Sequence, residues 1–185
     1  PADTFATESM VLYTSSLVDA DKHADIRLEA AMSKLWGSEA AWRTVDQTMQ
    51  IKGGRGYETE SSLRNRGADA DPIERMMRDC RINTIFEGSS EIMRLFIARE
   101  ALDPHLRTSA AVLDSRKSMK VRLRAALGAG AHYAKWYPKQ YLSNRVRVPA
   151  GFHPALFVEL IRIDRLSRKL SKLLFHSMLR HGPPL

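Results

Sequence analysis

Two short stretches of this chain hold side chains whose types and spacing suit chemistry. The first is Ile85-Phe86-Glu87-Gly88-Ser89-Ser90. A carboxylate buried beside bulky apolar neighbours loses solvation, which raises its pKa above about 4.3 and makes it a candidate general base. The plainer alternative for Glu87 is a solvated loop acid near a helix N-terminus, since surface carboxylates far outnumber catalytic ones. The second stretch is Gln50-Ile51-Lys52-Gly53-Gly54. Glycines let a ligand approach backbone amides closely, and a glutamine side chain both donates and accepts hydrogen bonds. Here the alternative is a glycine cap that simply ends a helix.

Several other chemistries are excluded. The six histidines, His23, His105, His132, His153, His176 and His181, include no i, i+4 pair with a glutamate between them, so a helical zinc-protease site is absent. Gly53, Gly54 and Gly56 do not complete a dinucleotide fingerprint, and no P-loop or nucleophile elbow occurs. The single cysteine, Cys80, excludes an intramolecular disulfide framework and a multi-thiolate metal site. It fits the cytoplasm or another reducing compartment.

The elements that must position these stretches read as helices. Phe5, Met10, Tyr13 and Leu17 predict a helix over 3–20, interrupted by the acidic stretch from Asp19 to Asp25. Leu28, Met32, Leu35, Trp42, Val45 and Met49 then form an apolar stripe that ends at Gly53-Gly54. Residues 55–71 read as a polar loop. Asp71-Pro72 suggests an N-cap followed by proline at the first helical position, opening a short helix through Arg78 and Arg81. A further helix carries Ile92, Leu95 and Phe96 and is expected to close at Asp103-Pro104. Residues around Met119 to Arg124 alternate in a strand-like way, yet the helix formers beside them favour a helix. Pro138 to Pro154 reads as a connector. The last helix, from about Leu156, places Leu156, Leu160, Ile163, Leu170, Leu173 and Leu174 on one side. No convincing strand alternates with these helices, so the expected class is all-α, a helical bundle followed by a partial helical extension.

The 185 residues suffice for a domain with a real core, and 44% hydrophobic with 27% charged residues excludes wholesale disorder. No apolar run is long enough to cross a bilayer, and no signal-peptide pattern opens the chain. The formal charge of +8 is an average over unlike parts: residues 1–102 hold 13 basic and 17 acidic side chains, residues 103–185 hold 16 and 4. A swing from −4 to +12 suggests segments that face different surroundings. Lys135, Trp136, Tyr137, Lys139 and Tyr141 mix cations with aromatic rings. That composition suits a membrane interface, single-stranded nucleic acid or a face packed on other domains; packing and peripheral membrane contact are favoured and nucleic acid is not expected. The initial Pro1 suggests a piece of a longer protein.

Taken together, "LEAAMSKLWGSEAAWRTVDQTMQIKGGRGY" and "PIERMMRDCRINTIFEGSSEIMRLFIARE" closely resemble the C-terminal helical domain of the flavin-dependent acyl-CoA dehydrogenases. The resemblance covers about residues 3–102. Residues 103–185 look like the C-terminal extension of the larger, very-long-chain-type members and their bacterial relatives. On this resemblance the chain divides into a bundle domain, 1–102, and a basic extension, 103–185, each incomplete.

The resemblance implies a role for each stretch. Glu87 matches the family's catalytic base and Gly88 a substrate-contacting position. Gln50, Ile51, Lys52, Gly53 and Gly54 match a flavin-binding element supplied across a subunit interface, and Ser89, Ser90 and Glu91 match a flavin contact at the next helix start. The implied reaction is α,β-dehydrogenation of a fatty acyl-CoA: Glu87 removes the α-proton, the β-hydrogen leaves as hydride to FAD, and a flavin ribityl hydroxyl with the Glu87 backbone N–H holds the thioester oxygen. Electron-transfer flavoprotein is the implied electron acceptor, and a homodimer or larger homo-oligomer the implied assembly. The family's N-terminal helical and middle β-domains have no counterpart in these residues, so little or no activity is expected of the 185-residue polypeptide alone. The alternative function is a non-catalytic assembly or membrane-interaction module that keeps the bundle.

Overall fold

A computed structural model describes residues 1–142, 148 and 150–182, and every regular element among them is helical. The all-α expectation therefore holds. The chain divides into two compact units, Pro1–Ile97 and Ala98–Leu185.

The first unit is organised on one long helix. Helix α1 (Ala2–Ala20) and helix α2 (Arg27–Lys52) form an antiparallel hairpin, with Asp3 paired to Arg43 at 3.7 Å and the hydroxyls of Thr14 and Ser33 3.4 Å apart. The residues that α2 buries fully are small, Ala31 and Ala40, and small residues let neighbouring helices approach closely. The bulky stripe is only half-covered: Met32 is 44% exposed, while Leu35, Trp42, Val45 and Met49 are intermediate.

Residues 55–71 are not the expected loop. They contain two short helices, α3 (Gly54–Tyr57) and α4 (Glu60–Asn65). Thr59 caps α4 by accepting the Ser62 N–H, Glu60 pairs with Arg64 one turn on, and Leu63 supplies a single anchor that is 1% exposed. One buried residue per element leaves no periodicity to read. Helix α5 (Ile73–Ile82) packs on α2, and its start also differs from expectation. Pro72 occupies the cap position, and the Asp71 carboxylate is taken by Lys52 instead of capping the helix.

Helix α6 (Ser90–Leu113) does not stop at Asp103-Pro104. Proline removes one backbone hydrogen bond from a helix interior, a cost of about 3 kcal/mol. Leu102 and His105 flank it and are both buried, and burying one such apolar side chain contributes roughly 1.5–3 kcal/mol. Packing overrides the breaker. Helix α7 (Met119–Lys139) is helical despite its alternating stretch and reaches into the expected connector. Of that connector, residues 143–147 and 149 lie outside the described residues, as do the last three residues of the chain.

A 3-10 turn (Pro154–Leu156) leads into helix α8 (Phe157–His181), whose inward face takes only Leu160 and Leu174, both half-buried, from the leucine stripe. Phe175 is the buried residue of α8, whereas Leu156, Ile163, Leu170 and Leu173 are all more than half exposed. The cause is an aromatic cluster. His105, Tyr133 and Trp136 meet Phe175 with ring centroids 5.0 to 5.2 Å apart, and the Tyr133 hydroxyl lies 3.2 Å from His105 Nδ1. Trp136 is thereby drawn into packing within the second unit.

Burial, and then the charge of His132, hold the His105 imidazole below its usual pKa. The unfolded chain takes up that proton near pH 6.5 and the folded chain only at lower pH, so the unfolded state binds more protons between the two values. Stability from this group is complete above about pH 6.5 and declines as pH falls below it. Thermal unfolding followed from pH 8 to pH 5 will show that decline, and His105→Phe, which cannot protonate, will flatten it; equal slopes would contradict the assignment. Pro104→Ala restores the missing N–H donor and will raise stability in urea by about 1–3 kcal/mol.

Candidate functional site

The loop between α5 and α6 is closed by its own backbone. The N–H groups of Ile85 and Phe86 donate to the Ile82 carbonyl at 2.9 and 3.0 Å, and Ser90 N–H donates to the Thr84 carbonyl at 3.1 Å. Thr84 and Ser90, the ends of this closure, are buried. Between them stands Glu87 with φ 51°, followed by Gly88 with φ 95°. Among the described residues Glu87 is the one non-glycine with positive φ. Such a conformation costs on the order of 1–3 kcal/mol and persists only where the surroundings over-determine it.

Two cations from neighbouring segments supply that constraint. Lys34 Nζ, from the third turn of α2, donates to the carbonyls of Asn83 at 2.8 Å, Phe86 at 3.3 Å and Gly88. These are three acceptors for the three hydrogens of an ammonium. The Asn83 carbonyl lies at the C-terminal end of α5, where a helix dipole favours a positive charge. Arg81 donates to Thr84 Oγ1 at 2.7 Å, and its guanidinium lies over the Trp42 ring at 5.3 Å. The Thr84 hydroxyl in turn donates to the Arg81 carbonyl at 2.9 Å.

The start of α6 is equally defined. Ser89 Oγ accepts the Ile92 N–H at 3.4 Å, the geometry of an N-cap. Hydrogen bonds from its own backbone N–H and from the Ser89 hydroxyl hold the Glu91 carboxyl below its usual pKa. Gly88 is needed for its positive φ; a Cβ there would also run into the end of the Met93 side chain. One sequence expectation is not met. Glu87 is exposed, and Ile85 and Phe86 are 53% and 44% exposed, so this chain does not itself desolvate the carboxylate. The apolar neighbours project outward from the loop because the buried positions of the turn are Thr84 and Ser90.

The second stretch forms an exposed corner. Helix α2 ends at Lys52, Gly53 caps it with φ 60°, and Gly54 begins α3. Gln50, Ile51, Lys52, Gly53 and Gly54 are all exposed, Ile51 at 85%. Beneath them a depression of about 330 Å³ is lined by Lys52, Arg55, Asp69, Asp71 and Ile73, among others. The two stretches do not meet within the chain. At about 1.5 Å rise per residue, Gln50 stands about 24 Å along α2 from Lys34, which touches the Glu87 loop. The structure thus brings Glu87, Gly88, Ser89, Ser90 and Glu91 together and leaves Gln50 to Gly54 at the far end of α2.

Lys34 was not evident from sequence. The signal available was a cation between Met32 and Leu35 on a half-buried helix, and nothing in the pattern ties it to a loop 49 to 54 residues away. Among the described residues no cluster of three or more histidines, cysteines or carboxylates suits a metal ion, and no helix is long and apolar enough to cross a membrane.

The family profile described as acyl-CoA dehydrogenase, C-terminal domain, matches residues 2–102. A probable acyl-CoA dehydrogenase, FadE10, from Mycobacterium tuberculosis strain H37Rv is 45% identical over 97% of this chain and 28% of its own length. The FadE10 of Mycobacterium bovis shows the same identity and coverage. The human mitochondrial very long-chain specific acyl-CoA dehydrogenase is 36% identical over 68% of this chain and 20% of its own length. The chain thus spans little more than a quarter of the mycobacterial proteins and a fifth of the human one. The helices that present Glu87 and the Gln50 corner are those of the matched domain, and the chain belongs to the acyl-CoA dehydrogenase family.

Proposed function

We propose that the protein containing this chain is an FAD-dependent dehydrogenase of fatty acyl-CoA thioesters, with Glu87 as the base that removes the α-proton. The observation that carries the reading is the Glu87 turn itself. A glutamate is held in a left-handed conformation by groups from two other segments, in a domain matched by the family profile. Strain maintained at this cost is typical of a residue that must be presented at one place.

The residues fit a flavin. Gly54 has ordinary φ and an added Cβ would meet nothing within 4 Å, so nothing in this chain demands glycine there. A ligand lying on the backbone would. Gln50 offers an amide to such a ligand, and the start of α6 offers the positive end of a helix, its first N–H groups being already taken by Thr84, the Glu91 carboxyl and Ser89. In our reading Gln50 to Gly54 and Ser89 to Glu91 hold FAD, which when bound supplies the acceptor for the β-hydride. Because the two elements are about 24 Å apart along α2, the reading places them on flavins of different sites, with the corner serving a neighbouring subunit.

Glu87 then acts as general base: its carboxylate accepts the α-proton while Gly88, without a side chain, leaves room for the acyl chain. Because Glu87, Ile85 and Phe86 are exposed in this chain, our reading leaves their desolvation to substrate, flavin and the remaining domains. Water exclusion strengthens the base and the hydrogen bonds to the thioester oxygen. Electron-transfer flavoprotein is the proposed electron acceptor and a homodimer or larger homo-oligomer the proposed assembly. Exposed Phe5, Leu12 and Tyr13 on α1 give such an assembly an apolar surface.

For residues 103–185 we favour peripheral contact with anionic membrane. On α8, exposed Ile163, Leu166 and Leu170 stand beside Arg162, Arg165 and Lys169, the composition of an interfacial helix. Flotation with vesicles containing anionic phosphatidylglycerol will recover the full-length protein at low salt and not at high salt; recovery indifferent to lipid charge would sink this assignment.

The principal test is Glu87→Gln in the full-length protein. Loss of a general base lowers rates by roughly 10²–10⁴-fold. We expect flavin reduction by acyl-CoA to fall by that order with flavin content unchanged. Activity unaltered by the substitution, or a purified wild-type protein without flavin, would favour a non-catalytic assembly module.

A further inference from the structure

We propose that Lys34 is a positioning residue of the reaction: its ammonium sets the backbone orientation of the base and of the N–H that faces the thioester oxygen. This rests on the dehydrogenase reading above. Lys34 touches neither substrate nor flavin in this assignment, and it acts through the peptide planes of the Glu87 loop.

The geometry is specific. Lys34 Nζ holds the carbonyls of Asn83, Phe86 and Gly88, so it grips the loop before, at and after the base. The Phe86 carbonyl and the Glu87 N–H belong to one planar trans peptide, in which the two groups point in opposite directions. Drawing the Phe86 oxygen toward α2 therefore turns the Glu87 N–H away from α2. The Gly88 carbonyl fixes the Gly88–Ser89 plane, the second after Glu87, in the same way. With the planes on either side of the Glu87–Gly88 pair held, the φ and ψ angles of the two residues can change only together, and their two positive φ values, 51° and 95°, are maintained from outside the loop.

Neutral hydrogen-bond donors would not do this equally well. A carbonyl bonded to an ammonium makes a charge-assisted bond, roughly twice as strong as a neutral one. One ammonium can also satisfy three converging acceptors, whereas an amide offers two hydrogens in a plane. The other support of the loop, Arg81 on Thr84, defines its base and leaves the Phe86–Glu87 and Gly88–Ser89 planes to Lys34.

The test compares full-length wild type with Lys34→Met, which keeps the aliphatic stem and removes all three donors. Single-turnover flavin reduction by a saturated acyl-CoA is expected to slow at least 30-fold, with KM and flavin content within threefold. Infrared spectra of a bound 1-¹³C acyl-CoA will show a smaller downshift of the thioester carbonyl in the variant, because the Glu87 N–H is no longer aimed. Amide exchange at Ile85, Phe86 and Ser90 will quicken at least tenfold while that of α1 is unchanged. Should Lys34→Met fail to fold, Lys34→Gln, which keeps a polar head, must show the same selective changes. A folded Lys34 variant with the wild-type rate, carbonyl frequency and loop exchange overturns the proposal. A wild-type protein that no acyl-CoA reduces overturns the dehydrogenase reading alone, since the exchange comparison stands without turnover.

Discussion

Backbone carbonyls that converge repel one another unless a cation sits among them, and the turn at Glu87 brings three together. Lys34 is the cation that makes the turn affordable. Without it, a left-handed glutamate, a glycine at φ 95° and a helix C-terminus with unsatisfied oxygens would share a few residues. With it, α2 and α5 are tied at the place where α6 begins. Arg81 adds a second tie by bonding Thr84 and stacking on Trp42. The first unit can therefore be described as a long helix that carries the supports for a short strained loop.

The sequence was most legible where one face is repeated over many turns. Helices α1, α2, α5 and α8 follow from apolar spacing and glycine or proline punctuation, α7 from its helix formers against a strand-like alternation, and the two chemistry-bearing stretches stand out by residue type. Short elements were hidden because a single buried side chain, Leu63, anchors α4 and has no periodic partner. The turn at Glu87 was also hidden. Its conformation depends on a lysine more than fifty residues earlier, and a glutamate in the left-handed region has no local signature. The desolvation suggested by Ile85 and Phe86 failed in this chain for a related reason: apolar neighbours in sequence become a hydrophobic pocket only if the fold turns them inward.

The second unit shows the reverse error. Leucine spacing on α8 pointed to one inward face, but the aromatic cluster chose another, with Phe175 seated among His105, Tyr133 and Trp136. The same cluster carries α6 past Pro104. Large rings bury more area per residue than leucines, so a few of them outweigh both a breaker and a longer apolar stripe.

The placement of small and exposed residues along α2 divides damage into two kinds. Near Ala31 and Ala40 the helix is closely packed, and a larger side chain there would be felt as misfolded protein and low abundance. At Gln50, Ile51 and Gly54 the side-chain positions contact almost nothing of the chain itself, so changes there would leave a well-folded and abundant protein and, on the proposed flavin role, a silent one. Inspection by solubility or melting temperature alone would pass the second kind and reject the first.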